Sequence, residues 1–223
     1  MEWYWLKKIL VNGLYRSGNN WCESLVENNI INAQADLHHF FAPNALEYLK
    51  SYDFHIMLYK NPYHWVNSII KQSWDMPFYY DLEPTDNCYK IEVGIGYPLE
   101  NIKETSIKKK HVISLQKLIT CYNNYFYFWS NMIDVLDKPY FFIQYEQILK
   151  DPQKFVNHIC VKTGLQVKQE FRNLNSVNNS RDWQISNKDY YLSKPNIDKE
   201  MIPIINEMLD SKIMRFLKLP YLD

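Results

Sequence analysis

Residues 8–21 read KILVNGLYRSGNNW, and this stretch decides how the chain begins to fold. Its apolar start predicts a buried β-strand that ends at Gly13. Apolar residues then recur near helical spacing over residues 19–31, so we expect a helix directly after the loop. Gly13 and Gly18 have the spacing of a phosphate loop, in which backbone N–H groups and a helix N-terminus surround an anion. We call residues 13–18 the anion loop.

Two more apolar runs predict buried strands, at residues 54–59 and 140–145. Asn61-Pro62 and Asp151-Pro152 follow them, and each pair has the form of a helix N-cap and a first helical residue. Residues 111–137 have the apolar stripe of one long amphipathic helix. Strands that alternate with helices predict an α/β fold, a three-layer sandwich with a central parallel sheet. Because ligands of such sheets bind beyond the carboxyl ends of the strands, we expect the functional site there.

One domain is predicted over residues 1–223, because neither a repeat nor a low-complexity linker interrupts the chain. Pro and Gly residues break every periodic pattern over residues 77–110, which predicts an irregular lid or acceptor-binding segment. Residues 165–195 are polar and poorly patterned, and they predict a second segment of this kind. A last helical region is expected over residues 198–217.

Composition and charge disfavour several classes of protein. Lys+Arg and Asp+Glu both number 25, and the resulting zero net charge disfavours binding to nucleic acid through a basic face. A hydrophobic fraction of 47% argues against disorder. No apolar run approaches the ~18–20 residues that span a bilayer, and the cysteines are scattered without metal-ligand spacing. We therefore expect a soluble, cytoplasmic protein without bound metal, with a homodimer as a candidate state, that contacts neither membrane nor nucleic acid.

Three short motifs follow the predicted strands in order. Residues 14–21 read LYRSGNNW, residues 58–68 read LYKNPYHWVNS, and residues 142–152 read FIQYEQILKDP. The first resembles the 5′-phosphosulfate loop of sulfotransferases, commonly written PRSGTTW or PKSGTTW. The second is similar to that family's 3′-phosphate motif, and Lys60 and Ser68 have the spacing of its Arg and Ser. The third is similar to the family's segment of a strand, YEDL and DP, so the resemblance implies its P-loop NTPase-like architecture.

The resemblance implies transfer of a sulfuryl group from 3′-phosphoadenosine 5′-phosphosulfate to a hydroxyl or amine of a small-molecule or glycan acceptor, without a metal. Arg16 would stabilise the charge that develops during transfer. The family places a histidine base shortly before its second strand. Here the second predicted strand is residues 54–59, and His38 and His39 stand before it. His39 is favoured, and the choice stays open. The residues that the resemblance assigns to the nucleotide are Arg16, Ser17, Gly18, Asn19, Asn20, Trp21, Lys60, Ser68 and Arg181.

The chain departs from the family's usual motifs at three of these positions. Asn19 and Asn20 stand in place of two Thr or Ser residues, and Lys60 stands in place of an Arg. Lysine keeps the charge but lacks the two-pronged guanidinium. Two other functions stay open. A nucleotide-dependent phosphotransferase would use the same fold, but it is disfavoured because no Lys-Ser/Thr follows Gly18. A non-catalytic nucleotide-binding module would keep the loop without turnover.

Overall fold

The computed structural model describes residues 6–39, 46–71, 73–74, 82–96, 107–174, 176–178, 181–184 and 188–223. The chain divides into two units. The first unit consists of Met1–Lys60 and Trp129–Ser193, and the second unit consists of Asn61–Phe128 and Lys194–Asp223. The expectation of a single domain over residues 1–223 stays a prediction.

Strands alternate with helices along the first unit, as the sequence predicts. One helix, α4 (Leu115–Leu136), is shared, because its residues from Trp129 onward belong to the first unit and its earlier residues belong to the second. In chain order the described elements are β1 (Lys7–Gly13), α1 (Asn19–Asn29), β2 (Ala33–His39), α2 (Leu46–Lys50), β3 (Phe54–Tyr59), α3 (Pro62–Lys71), β4 (Ser73–Trp74), β5 (Lys90–Gly96), β6 (Ile107–Ser114), α4 (Leu115–Leu136), β7 (Tyr140–Gln144), α5 (Tyr145–Lys150), α6 (Pro152–Thr163), β8 (Ser176–Asn178), β9 (Arg181–Gln184), α7 (Lys188–Leu192), α8 (Met201–Met208) and α9 (Ser211–Leu217).

The four parallel strands of the first unit lie in the order β2-β1-β3-β7. This confirms the prediction of an α/β fold with a central parallel sheet. The sequence did not predict β2, because its residues AQADLHH lack the apolar run that marks the other three strands. From β1 the chain moves to one side in β2 and then to the other side in β3, so the strand order reverses between β1 and β3. In open α/β sheets, ligands bind in the crevice beyond such a reversal.

Helical residues cover both faces of this sheet within the first unit. One face packs against α1, α5 and α6 in a continuous apolar core. On the other face, Nε1 of Trp129 in α4 donates to Oδ1 of Asn12 at 3.1 Å. The Trp129 ring also lies 6.1 Å from the ring of His55. Residues 9–11 of β1 and all residues of β3 except His55 are therefore apolar rather than alternating, and the arrangement is compatible with the predicted three-layer sandwich.

The second unit contains two strands in a region where the sequence predicts irregular structure. β5 and β6 pair antiparallel, with Ile91 beside Ile113. The prediction of an irregular segment over residues 77–110 is therefore wrong for the part of it that lies in β5 and β6. Both strands contain β-branched residues that pack on a sheet, whereas the prediction rested on isolated Gly and Pro residues. Residues 77–81 and 97–106 lie outside the described structure, and the lid function stays a prediction.

The predicted helix starts are right where a proline and a capping residue mark them. The amide of Tyr63 donates to Oδ1 of Asn61 at 3.0 Å, at the start of α3. The amide of Lys154 donates to Oδ1 of Asp151 at 2.9 Å, at the start of α6. The long helix is displaced: α4 begins at Leu115 rather than at residue 111, because the preceding residues pair with β5.

The predicted polar segment 165–195 contains some regular structure. β8 and β9 form a short antiparallel pair, and α7 follows them. The three residues of β8 are too few to show a period in the sequence, which is why the pair was not predicted. Residues 175, 179–180 and 185–187 lie outside the described structure. The helical prediction for residues 198–217 is confirmed by α8 and α9.

All four cysteines lie in the described part of the chain, and none of them forms a disulfide. The described helices include none that is both long enough and apolar enough to cross a bilayer. Over the same residues, no group of three His, Cys, Asp or Glu side chains is arranged so that it could hold a metal ion.

One buried histidine, His55, lies on the face of the sheet that Trp129 covers. Its side chain is 0% exposed, and its ring is 6.3 Å from the ring of Tyr52. Burial and, to a smaller extent, the Lys138 cation lower the pKa of His55 to about 4, against an opposing effect of the Leu49 backbone. The imidazole is therefore neutral near pH 7.

Because His55 is buried in its neutral form, we expect the fold to lose stability in mild acid. An unfolded histidine has a pKa of ~6.5, so between about pH 6.5 and about pH 4 the unfolded chain binds a proton that folded His55 excludes. The loss reaches on the order of 2 kcal/mol at about pH 5. His55→Leu should flatten this pH dependence in urea unfolding at about pH 5 and about pH 7.5, whereas His158→Leu, at an exposed position, should keep it. The same pH dependence in His55→Leu and in the wild type would contradict the assignment.

Candidate functional site

The carboxyl ends of β1, β3 and β7 lie side by side at one edge of the parallel sheet. Gly13 at the end of β1 pairs with Leu58 of β3. The last residue of β3, Tyr59, pairs with the last residue of β7, Gln144. The segments that follow these strands are the anion loop, Lys60 and α5, which begins at Tyr145. The sheet thus brings together parts of all three sequence motifs at the edge where the sequence predicts the site.

Two residues of the anion loop have a left-handed backbone. Arg16 has a φ of 66°, and Gly18, the N-cap of α1, has a φ of 92°. For a residue other than glycine this conformation costs roughly 1–2 kcal/mol, which other contacts must offset. At Gly18 a Cβ atom would lie 2.3 Å from the ring of Tyr145. The loop is therefore a tightly shaped turn, and Tyr145 packs directly on it.

The side chain of Asn19 holds the anion loop together from inside. Its Nδ2 donates to the carbonyls of Gly13 at 3.1 Å and Leu14 at 3.2 Å, and the residue is 3% exposed. A Cβ on Gly13 would lie 2.3 Å from Oδ1 of Asn19 and 2.7 Å from the Leu58 carbonyl. The first asparagine of the motif therefore bonds to the backbone of the loop, although the resemblance assigns it to the nucleotide.

The anion loop presents hydrogen-bond donors at the start of α1. The first N–H groups of a helix have no acceptor within the helix, and the helix dipole makes this end positive. The N-cap residue is Gly18, which has no side chain that could accept hydrogen bonds from these N–H groups. The hydroxyl of Ser17 is fully buried and has no hydrogen-bond partner among the described residues. A buried hydroxyl left in this way costs about 1–3 kcal/mol, and a bound anion would remove that cost.

Lys60 contacts the anion loop from the neighbouring strand. Its Nζ donates to the carbonyl of Arg16 at 2.6 Å. The same atom lies 4.7 Å from the ring centre of Tyr145 and 4.4 Å from that of Tyr191. Burial, with a smaller contribution from the Arg16 cation, lowers the pKa of Lys60 to about 7, although the Glu146 carboxylate acts in the opposite direction. An anion bound beside Arg16 would therefore favour the charged form of Lys60.

Charges in the site have both signs, and the cations predominate. Arg16 is partly exposed, whereas Lys60 and Glu146 are buried. Burial and the Glu146 carboxylate raise the pKa of Tyr59 to about 12, so its hydroxyl stays protonated at neutral pH. Arg16 and the protonated fraction of Lys60 together outweigh the Glu146 carboxylate, so the site attracts anions in a region of low dielectric constant.

His38 and His39 end β2, beside the anion loop. In register, His38 pairs with Asn12 and His39 pairs with Gly13, the first residue of the loop. Neighbouring strands are ~4.8 Å apart, so the predicted base and the predicted nucleotide loop follow adjacent strand ends. The side chains of both histidines lie outside the described part of the structure, and the choice between them stays a prediction.

The other predicted site residues have varied surroundings. Asn20 is exposed on the first turn of α1, whereas Trp21 is buried and its Nε1 donates to a backbone carbonyl at 3.1 Å. Ser68 belongs to the second unit, where its hydroxyl donates to the carbonyl of His64 at 2.8 Å within α3. Arg181 begins β9, and its side chain lies outside the described residues. Trp21 therefore supports the loop from the core.

The sequence assigned neither of the two tyrosines that enclose Lys60 to the nucleotide. Tyr145 lies in the third motif and follows β7 directly, and the sequence indicated it only as a residue that could orient the loops at the strand edge. Tyr191 gave no usable signal, since it lies in the short helix α7, far along the chain in a polar segment.

No protein-family model matches the chain, and no curated protein or solved structure matches it either. The features that bear on function are therefore the anion loop, its neighbours at the sheet edge and the sequence motifs that follow the strands. Fold alone does not determine function, because one α/β architecture serves many chemistries.

Proposed function

We propose that the chain is a sulfotransferase that transfers a sulfuryl group from 3′-phosphoadenosine 5′-phosphosulfate to a hydroxyl or amine of a small-molecule or glycan acceptor. The observation that carries the proposal is the anion loop beyond β1, where a glycine N-cap and the unpartnered hydroxyl of Ser17 lie next to Arg16. The order of the three sequence motifs supports it, because each of them begins at or near the carboxyl end of a parallel strand.

The residues of the loop fit the charged end of such a nucleotide. Phosphate and sulfate oxygens only accept hydrogen bonds, and the loop offers mainly donors. These donors are the N–H groups at the start of α1, the hydroxyl of Ser17 and the guanidinium of Arg16. Charge-assisted hydrogen bonds of this kind are roughly twice as strong as neutral ones. We therefore assign the 5′ end of the nucleotide to Arg16, Ser17 and the backbone of residues 16–20.

The bound nucleotide supplies an activated sulfuryl group, whose S–O bond to the 5′-phosphate is the bond that breaks. The protein has two tasks. Arg16 and the loop N–H groups stabilise negative charge on the sulfuryl oxygens and on the phosphate oxygen as it leaves. His39, or His38 in its place, takes the proton from the acceptor as the acceptor oxygen or nitrogen bonds to sulfur.

A phosphotransferase function is less well supported by the loop. P-loop phosphotransferases carry a lysine after the second glycine to neutralise the outer phosphates. Here that position is Asn19, whose amide bonds to the carbonyls of Gly13 and Leu14. Asn19 therefore shapes the loop without adding positive charge.

Calorimetric titration with adenosine 3′,5′-bisphosphate, with and without EDTA, tests the proposal when it is combined with a turnover assay on phenol, carbohydrate and amine acceptors. We expect binding that EDTA leaves unchanged, together with sulfuryl transfer. A strict requirement for Mg²⁺ would instead support the phosphotransferase. Binding without turnover on any acceptor would support a non-catalytic module, and failure to bind would contradict every nucleotide-based function.

The base assignment predicts a separation between turnover and binding. His39→Ala should lower the turnover rate by ~10²–10⁴-fold, the usual contribution of a general base. The same variant should bind adenosine 3′,5′-bisphosphate with nearly the wild-type affinity, because the histidine acts on the acceptor. His38→Ala is the matched control, and a large effect there with none at His39 would reverse the assignment. Full activity in both variants would contradict a histidine base at the end of β2.

A further inference from the structure

The side chain of Lys60 ends against the backbone of the anion loop. Only 3% of the residue is exposed. Its ammonium donates to the carbonyl of Arg16 at 2.6 Å, a short charge-assisted hydrogen bond. The family resemblance would instead have this side chain bind the 3′-phosphate of the nucleotide directly. A lysine buried in this way is placed to act on the loop itself.

Packing fixes the position of the Lys60 ammonium. The rings of Tyr145 and Tyr191 lie 5.4 Å apart with their planes at 86°, and Nζ is within 5 Å of both ring centres. Trp21 packs edge-on against Tyr145 at 5.8 Å, which holds that ring in place. A desolvated cation is attracted to the electron-rich face of such a ring. We call this arrangement the tyrosine clamp.

The hydrogen bond from Lys60 acts on the one strained peptide of the loop. Arg16 has a φ of 66°, which an arginine adopts only where its surroundings stabilise it. The carbonyl of Arg16 and the amide of Ser17 belong to the same peptide plane. That amide donates to the carbonyl of Leu14 at 3.2 Å, so the plane is held at both of its ends.

We propose that Lys60 is a positioning residue of the anion loop: held in the tyrosine clamp, it fixes the peptide between Arg16 and Ser17 and so the direction of the loop's donors. The proposal deepens the proposed function and rests on it for the nucleotide. It changes the role that the motif suggests for Lys60, from a contact with the 3′-phosphate to a support for binding at the 5′ end. The shape of the loop in the free protein can be tested without any nucleotide.

The test compares Lys60→Met with Lys154→Met, a change of the same kind at an exposed lysine of α6. The first measurement is hydrogen exchange of the backbone amides of residues 13–20 in the ligand-free protein. Loss of one charge-assisted hydrogen bond should speed exchange of the Ser17 amide, which donates to the Leu14 carbonyl, by ~10-fold to ~100-fold in Lys60→Met alone. The melting temperature should fall as well, because removal of the cation leaves the buried carboxylate of Glu146 without it. Exchange is therefore measured well below the melting transition, where amides of the loop exchange through local opening and not through unfolding of the whole chain.

The second measurement compares two nucleotides. If Lys60 positions the loop, Lys60→Met weakens adenosine 5′-phosphate and adenosine 3′,5′-bisphosphate by the same factor, about 10-fold or more. If Lys60 is a direct 3′-phosphate ligand, only the bisphosphate is weakened, and the proposal is overturned. Unchanged exchange of residues 13–20 in Lys60→Met also overturns it. If the wild type binds neither nucleotide, the proposed function fails, while the exchange measurement still decides the role of Lys60.

A second variant keeps the test valid if Lys60→Met does not fold. Tyr191→Leu removes one ring of the tyrosine clamp from a partly exposed position in α7 and leaves the lysine in place. It should speed exchange of residues 13–20 in the same direction by a smaller factor. Exchange at the wild-type rate in Tyr191→Leu would overturn the clamp.

Discussion

Replacing Arg16 with alanine should weaken the binding of adenosine 3′,5′-bisphosphate by roughly 100-fold or more. A hydrogen bond to a charged group contributes about 1.5–3 kcal/mol, and the guanidinium offers several donors to the same phosphate. The carbonyl of residue 16 remains, so the bond from Lys60 is kept and the loop retains its shape. Calorimetry measures the affinity, and hydrogen exchange of residues 13–20 checks that the backbone is unchanged.

Arg172→Ala is the matched control for this prediction. The Arg172 side chain is exposed, and the residue's amide bond to Oδ1 of Asn29 at 2.6 Å does not depend on that side chain. The control should bind the nucleotide like the wild type. Arg16→Lys should recover part of the affinity, because it restores the charge without the planar fork. Wild-type affinity in Arg16→Ala would contradict an anion site at this loop.

The parts of the fold that could be predicted are those in which a local sequence signal agrees with the final environment. β1 and β3 are buried on both faces, so each contains an apolar run that predicts a buried strand. The N-caps at Asn61 and Asp151 are local hydrogen bonds within a few residues, and the sequence specifies them fully. β5 and β6 depend on each other for pairing, and a window short enough to mark one strand does not contain the other.

The candidate site also contains features that the sequence predicts and residue roles that it does not. The glycine spacing and Arg16 were visible as a motif, and the rule on strand ends located Lys60 near them. The roles were harder to predict. Asn19 appears in the motif as a ligand of phosphate, but its amide bonds to two loop carbonyls. Whether a donor faces the ligand or the backbone depends on side-chain geometry at one position, which residue type and spacing do not determine.

Replacing Gly18 with alanine should both destabilise the fold and abolish nucleotide binding. The backbone at Gly18 has a φ of 92°, where an alanine costs roughly 1–2 kcal/mol. The new Cβ would also lie 2.3 Å from the ring of Tyr145, and relief of such a contact forces movement that costs about 1–3 kcal/mol more. The total loss in the free energy of unfolding, measured by urea denaturation, should be on the order of 2–5 kcal/mol.

Gly164→Ala separates the two causes, because it has the same kind of backbone without the steric contact. Gly164 ends α6 with a φ of 74°, and a Cβ placed there meets no described heavy atom within 4 Å. It should therefore lose only the conformational part, roughly 1–2 kcal/mol. The difference between the two losses in the free energy of unfolding measures the steric contact with Tyr145. A double-mutant cycle of Gly18→Ala with Tyr145→Leu should give an interaction energy of the same size. Equal losses at the two glycines would mean that the ring of Tyr145 does not rest on the anion loop. The tyrosine clamp would then lack the contact that ties it to the turn.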